Sequence, residues 1–265
     1  MYDPEKITLP HVTEGEHDGN SPFHRLAMME KPDTSMYRKS GFGLHGVHSH
    51  LHNDAELRKN IAVYYGMVSM MDHYIGVILD KSEELGLAEN TLVVFTTDHG
   101  HLYGQHGLIA KGPFMYEDLI RVPLMARLPG RIPAGRRSEA IQSLVDIVPT
   151  FLDFCDLPYP DGLSGLSEKP VWTGEKTEVR RWAICEHNHE RDSVDLRTYV
   201  NGRYKITLYL GMECGDLYDL EEDPAEIHNR WWDPAYAEIK AQLMFAFLQA
   251  EMEREPRFMP RIAMA

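Results

Sequence analysis

The stretch Thr91-Leu92-Val93-Val94-Phe95-Thr96-Thr97 constrains this chain more than any other. It is a continuous run of β-branched and aromatic residues, the composition of a buried parallel strand with apolar side chains on both faces. Asp98-His99-Gly100 closes it, and His101-Leu102-Tyr103-Gly104-Gln105-His106-Gly107-Leu108 and Lys111-Gly112-Pro113 follow. Open α/β sheets hold ligands where such strands end on their carboxyl side. Here that end carries a carboxylate, an imidazole and, a few residues on, an ammonium. A ligand pair for a divalent metal beside an anion-binding lysine is a site suited to a charged ester.

The rest of the chain supports an α/β architecture. Apolar residues at Ile61, Tyr64, Tyr65, Val68, Met71, Tyr74, Ile75, Ile78 and Leu79 follow the helical period. They predict a helix over 54–85, capped by Asn53 or Asp54 and ended by Gly86. Residues 121–128 read as a second apolar strand, 143–152 as a helix started or kinked by Pro149, and 181–185 as a further short strand. From about 195 the pattern becomes antiparallel. Thr198-Tyr199-Val200 and 204–209 flank Asn201-Gly202, a hairpin signal. A strand at 216–220 follows, then a helix over 234–253 with Asp233 as cap and Ile239, Leu243, Met244, Phe247 and Leu248 facing inward. The expected organisation is an α/β part over 1–190, a mostly parallel sheet flanked by helices. A small antiparallel sheet with one helix covers 191–265.

Composition excludes several partners. The chain has 265 residues and a formal net charge of −14. That charge repels nucleic acid and anionic membranes. It also repels a sulfate or phosphate ester, so an anionic substrate needs local positive charge of the kind Lys111 and a metal supply. Cys155, Cys185 and Cys214 are scattered without metal or disulfide spacing and read as isolated buried thiols. No apolar run reaches the length of a membrane span and no signal pattern opens the chain. As it stands the chain reads as cytoplasmic; with a further N-terminal portion it would be periplasmic or secreted. The dense histidines His45, His48, His50 and His52 sit in a Pro-broken segment and read as a surface loop.

Among the candidates, Asp98 and His99 suit a divalent metal, which needs further oxygen ligands. Lys111, in a loop before Gly112-Pro113, suits an ester oxygen. His106 is a candidate general acid and His101 a lesser one. Glu186, His187 and His189 are candidates for a substrate entrance.

These motifs, taken in order, resemble the sulfatase family of the alkaline phosphatase superfamily. The resemblance rests on Thr97-Asp98-His99-Gly100, Gly104-Gln105-His106-Gly107-Leu108, Lys111-Gly112-Pro113, Tyr116-Glu117 and Arg121-Val122-Pro123-Leu124. It continues in Val145-Asp146-Ile147-Val148-Pro149-Thr150, in 162–167, and in Gly215-Asp216-Leu217-Tyr218-Asp219-Leu220-Glu221-Glu222-Asp223-Pro224-Ala225-Glu226. It covers roughly 55–250 and implies part of an alkaline-phosphatase-like sandwich. It implies that Asp98 and His99 ligate the metal, calcium in most of the family and manganese or magnesium otherwise. It also implies that Lys111 contacts the sulfate of a small-molecule or carbohydrate sulfate ester. A histidine at 99, where asparagine is commoner, resembles the phosphonate monoester hydrolases, which makes a phosphonate or phosphate ester the alternative substrate. The family's formylglycine nucleophile lies in Cys/Ser-x-Pro-x-Arg, and no cysteine or serine of this chain stands in that pattern. The chain therefore looks like the C-terminal portion of a sulfatase, inactive alone. A non-catalytic binding or assembly module on the same fold is the third reading. An uncovered sheet edge would favour a homo-oligomer.

Overall fold

The computed structural model describes residues 1–33, 35, 53–190 and 194–255. The His45–His52 cluster lies outside them. After α1 (Pro22–Met28) comes the long α2 (Asp54–Glu84). The Asn53 side chain caps α2 by accepting from the Glu56 N–H at 3.0 Å, and Gly86 closes it at φ +67°. β1 (Val93–Thr96) follows, then β2 (Leu102–Tyr103), β3 (Ile109–Ala110), α3 (Glu117–Ile120) and β4 (Leu124–Arg127). A 3-10 turn at Leu144–Asp146 leads into α4 (Ile147–Phe154). Pro149 is the third residue of α4, where a missing N–H costs no hydrogen bond. After α5 (Lys169–Thr173) come β5 (Ala183–Glu190), β6 (Val194–Val200), β7 (Tyr204–Tyr209), β8 (Gly215–Asp219) and α6 (Ala237–Arg254).

The α/β layer and the small C-terminal antiparallel sheet are both present. Strand pairing differs from expectation in two places. Every strand pair among the described residues is antiparallel, and β1 pairs with β4, Val93 opposite Arg127 and Thr96 opposite Leu124. An apolar run reports burial on both faces but not the direction of its neighbour. The strand expected at 181–185 is longer and pairs with β6, so it belongs to the antiparallel sheet β5-β6-β7-β8. The hairpin turn forms as the sequence implies: Asn201 Oδ1 accepts from the Tyr204 N–H at 2.8 Å and Gly202 takes φ +91°.

Two cores hold the antiparallel sheet. On one face Tyr199, Ile206, Leu217 and Trp231 pack against Leu243, Phe247 and Ala250 of α6. Met244 and Leu248, expected inward, are exposed, and Ala250 takes their place. On the other face Val194, Leu196, Tyr209 and Tyr218 pack against Phe23, Leu102, Leu108, Phe114 and Leu119. The β2–α3 loop is thus clamped between α1 and the C-terminal sheet. Of the three cysteines expected buried, Cys155 is exposed and Cys185 and Cys214 are only partly buried.

α2 carries more apolar surface than the described residues cover. Ile61 and Ala62 are buried, whereas Met67, Met70, Met71, Tyr74 and Ile78 are each about half exposed or more. On the sheet, the cross-strand pair Phe95 and Met125 is exposed at 38% and 60%. A helix apolar around most of its circumference is a buried helix by composition, and patches of this size drive association. The chain purified alone is therefore expected to self-associate with concentration in light scattering. Met71→Lys with Ile78→Lys should shift the population to monomer. A wild-type chain that stays monomeric at high concentration would refute this.

Candidate active site

β1 delivers Thr97 and Asp98 at its carboxyl end. The Asp98 carboxylate accepts from the His99 backbone N–H at 2.9 Å and the Thr97 hydroxyl at 3.1 Å. These two donors, the backbone N–H first, hold its carboxyl below the usual range. The side chain is otherwise open to solvent, 81% exposed. Gly100 allows the sharp turn that follows. Its N–H donates to the Leu119 carbonyl at 2.8 Å, and a Cβ there would overlap the Asp118 carbonyl oxygen.

The turn brings three predicted residues together. His99 Nδ1 sits 2.7 Å from the Gly100 carbonyl and donates to it. In the neutral ring that leaves the lone pair on Nε2. Lys111 Nζ lies 2.8 Å from Nε2, and Asp98 Oδ2 lies 3.4 Å from it. A metal ion would take the Nε2 lone pair that here accepts from Lys111 Nζ, and the hydrogen bond on the other nitrogen sets its direction. Asp98 and His99 therefore fit as a metal-ligand pair. They fall short of a complete site, because no group of three or more His, Cys, Asp or Glu side chains converges among the described residues.

His106 stands apart. It adopts φ 55°, with Gly107 also in the left-handed region, and this turns its ring inward. The ring stacks on Tyr116 at 3.7 Å and 10°. Its Nδ1 is 3.8 Å from Glu16 and its Nε2 4.0 Å from Asp118, while its carbonyl accepts from His17 Nε2 at 2.7 Å. Burial pushes its pKa down to about 4, so it is neutral near pH 7. Asp98, His99 and Lys111 are not among these partners. The contacts seat His106 under Tyr116. His101 is nearer the centre: its ring packs against Tyr103 at 4.6 Å, tilted by 43°, and burial, then the charges of His99 and Lys111, lower its pKa. With Tyr64, Tyr103 and Ala110 it lines a cleft of about 320 Å³ beside Lys111.

Other family-like motifs support the site from behind. Lys205, 1% exposed, pairs with Glu226 and, at 3.2 Å, with Glu117. Glu226 Oε2 also accepts from the Glu117 N–H at 2.6 Å. The Tyr209 hydroxyl donates to Asp216 at 2.6 Å. Asp146, in the α4 motif, accepts from the Ser143 and Leu166 N–H groups at 2.9 and 2.8 Å and pairs with Arg180. Sequence reasoning missed Glu16, His17 and Lys205, because isolated charged residues give no periodic or spacing signal. Glu186 is occupied elsewhere: Arg254 and Arg197 hold its carboxylate at 2.9 and 3.1 Å. His187 lies in β5 opposite Leu196, and His189 lies in the same strand.

The sulfatase family profile matches residues 12–157, and the profile described as N-sulphoglucosamine sulphohydrolase, C-terminal, matches 104–253. An N-acetylglucosamine-6-O-sulfatase of Bacteroides thetaiotaomicron is 34% identical over 188 residues, 68% of this chain and 34% of that protein. An arylsulfatase of Clostridium perfringens is 33% identical over 181 residues, 67% of this chain and 37% of that protein. This chain thus spans about a third of the length of these relatives. Among solved structures, a phosphonate monoester hydrolase from Silicibacter pomeroyi superposes with a TM-score of 0.79 at 24% identity, covering 99% of this chain and 56% of that one. A different protein, solved in complex with its substrate D-glucosamine-2-N,6-O-disulfate, has a TM-score of 0.69 at 23% identity, covering 96% and 63%. These likenesses establish the fold. The two profile matches, each over more than half of the chain, establish that it belongs to the sulfatase family, within the alkaline phosphatase superfamily.

Proposed function

We propose that this chain carries the metal-ligand and oxyanion-binding half of a sulfate monoester hydrolase. The observation that carries the reading is the convergence of Lys111 Nζ and Asp98 Oδ2 on His99 Nε2, at 2.8 and 3.4 Å. A sulfate ester presents non-bridging oxygens that need a cation, and the −14 chain offers one here in Lys111. A divalent metal held by Asp98 and His99 would add Lewis-acid charge at the same oxygens. Calcium is the metal the family resemblance implies, with manganese or magnesium as alternatives. Lys111 orients the ester and offsets charge as the ester S–O bond breaks. The cleft of Tyr64, His101 and Tyr103 offers aromatic walls to the alcohol part. A sulfated saccharide is the favoured class, because a relative acts as an N-acetylglucosamine-6-O-sulfatase and a fold neighbour was solved with a sulfated glucosamine.

None of the 265 residues stands in Cys/Ser-x-Pro-x-Arg, so this reading assigns no nucleophile within the chain. The purified chain is expected to show no metal-dependent turnover of an aryl sulfate. Joined behind the N-terminal portion of the Clostridium perfringens arylsulfatase, it should turn the substrate over with dependence on Asp98. Turnover by the chain alone would overturn that reading. A folded, active chimera indifferent to Asp98→Ala would overturn the site. The phosphonate or phosphate ester reading rests on His99, and the chimera's preference between an aryl sulfate and a phosphonate monoester decides it.

A further inference from the structure

A second cleft lies at the opposite end of β1. Because β4 runs antiparallel to β1 with Arg127 opposite Val93, the loop leaving β4 begins at the end of β1 remote from Asp98. That loop, the segment entering β5 and the Asn201-Gly202 turn enclose about 600 Å³, within the range of small-molecule pockets, about 300–1,000 Å³.

Its charge runs against the chain. The protein has 27 basic and 41 acidic residues, yet Arg136, Arg137, Arg180 and Arg181 line this cleft against Glu139 and Glu178. Arg181 pairs with Glu178 at 2.9 Å, which cancels one of each. Arg136 and Arg137 are exposed and have no ion pair among the described residues. Arg136 is laid against the end of α5. Gly174 there takes φ +88°, and a Cβ would overlap the Arg136 guanidinium. Arg180 is 8% exposed. One terminal nitrogen pairs with Asp146, the other donates to the Trp182 carbonyl at 3.4 Å, and its buried Nε has no hydrogen-bond partner. Arg180, whose buried Nε has no acceptor, and the unpaired Arg136 and Arg137 line the same cleft and together offer more N–H donors than the Asp146 pair consumes. Guanidinium forks match the oxygen spacing of sulfate and phosphate.

We propose that this cleft is a second oxyanion site, taking a sulfate or phosphate group that is free or carried on a saccharide. Arg136 and Arg137 are its principal ligands and Arg180 is its buried donor. A long polyphosphate is disfavoured by the −14 charge around it. The site does not depend on the catalytic reading, since it shares no residue with Asp98, His99 or Lys111.

The test is calorimetric titration of the full chain with sodium sulfate, sodium phosphate and glucosamine 6-sulfate, each against sodium chloride of equal ionic strength. Saturable binding is expected to persist in Lys111→Ala, which removes the sulfate contact proposed at the other site, and to weaken at least about tenfold when R136Q/R137Q is added to that variant. Both arginines are exposed and unpaired, so circular dichroism should show the double variant folded. Equal affinity for sulfate and the sugar sulfate would identify the free ion as ligand; tighter binding of the sugar sulfate would identify the saccharide. Heat no greater than the chloride control, binding indifferent to the double variant, or binding lost with Lys111→Ala would each overturn the proposal.

Discussion

Replacing Lys111 by alanine is expected to lower kcat/KM for a sulfate ester by about 10²- to 10³-fold in the active chimera, the cost of losing one oxyanion-stabilising donor. The effect should fall mainly on kcat, because negative charge on the departing ester grows in the transition state. The geometry suits the role proposed for Lys111. Its Nζ reaches the centre as a compact point charge 2.8 Å from His99 Nε2. Arginine would bring a planar fork into the same space, so Lys111→Arg should recover little. The same substitution separates the two anion sites, because the arginine cleft should bind as before. Steady-state kinetics with an aryl sulfate tests this; a loss below about tenfold would remove Lys111 from the reaction.

Lys205→Met is expected to cost about 3–5 kcal/mol of stability at pH 8, the cost of leaving a buried partner unpaired. Glu226 is 3% exposed, and burial, opposed by Lys205, leaves its pKa raised to about 7. The sign follows from linkage. A carboxyl whose folded pKa exceeds its ordinary value binds its proton more tightly when folded, so it favours the fold at low pH. That contribution is lost as pH rises from about 4.5 through 7. Without Lys205 the folded pKa rises further and the loss extends to higher pH. The variant should therefore lie nearer wild type at pH 5 than at pH 8, and Glu226→Gln added to it should recover part of the pH 8 loss. Urea unfolding at the two pH values measures both. An equal loss at both would mean that Lys205 contributes packing alone. The local consequence bears on the site, because Glu226 also accepts from the Glu117 N–H at the start of α3. α3 in turn supplies the Leu119 carbonyl to which Gly100 donates.

Much of this was legible in the chain. The 3.6-residue period placed α2, and Asn53 and Gly86 marked its ends within a residue. Asn201-Gly202 placed the hairpin, and Asp233-Pro234 placed the entry to α6. Asp98, His99 and Lys111 were readable because a strand exit, a glycine and a Gly-Pro step fix where their side chains stand. The inward face of α6 was less so. Met244, Leu248 and Ala250 all satisfy helical spacing, and the shape of the sheet beneath selects the small Ala250.

The sequence by itself determined the local elements and the adjacency of Asp98 and His99, since both depend on short-range backbone geometry. The tertiary structure alone decided three things. It paired β1 with β4 antiparallel, stacked His106 on Tyr116, and gathered four arginines from two distant segments into one cleft. Strand direction, side-chain burial and charge clustering are properties of contacts between segments far apart in the chain, and no period or spacing within either segment carries them.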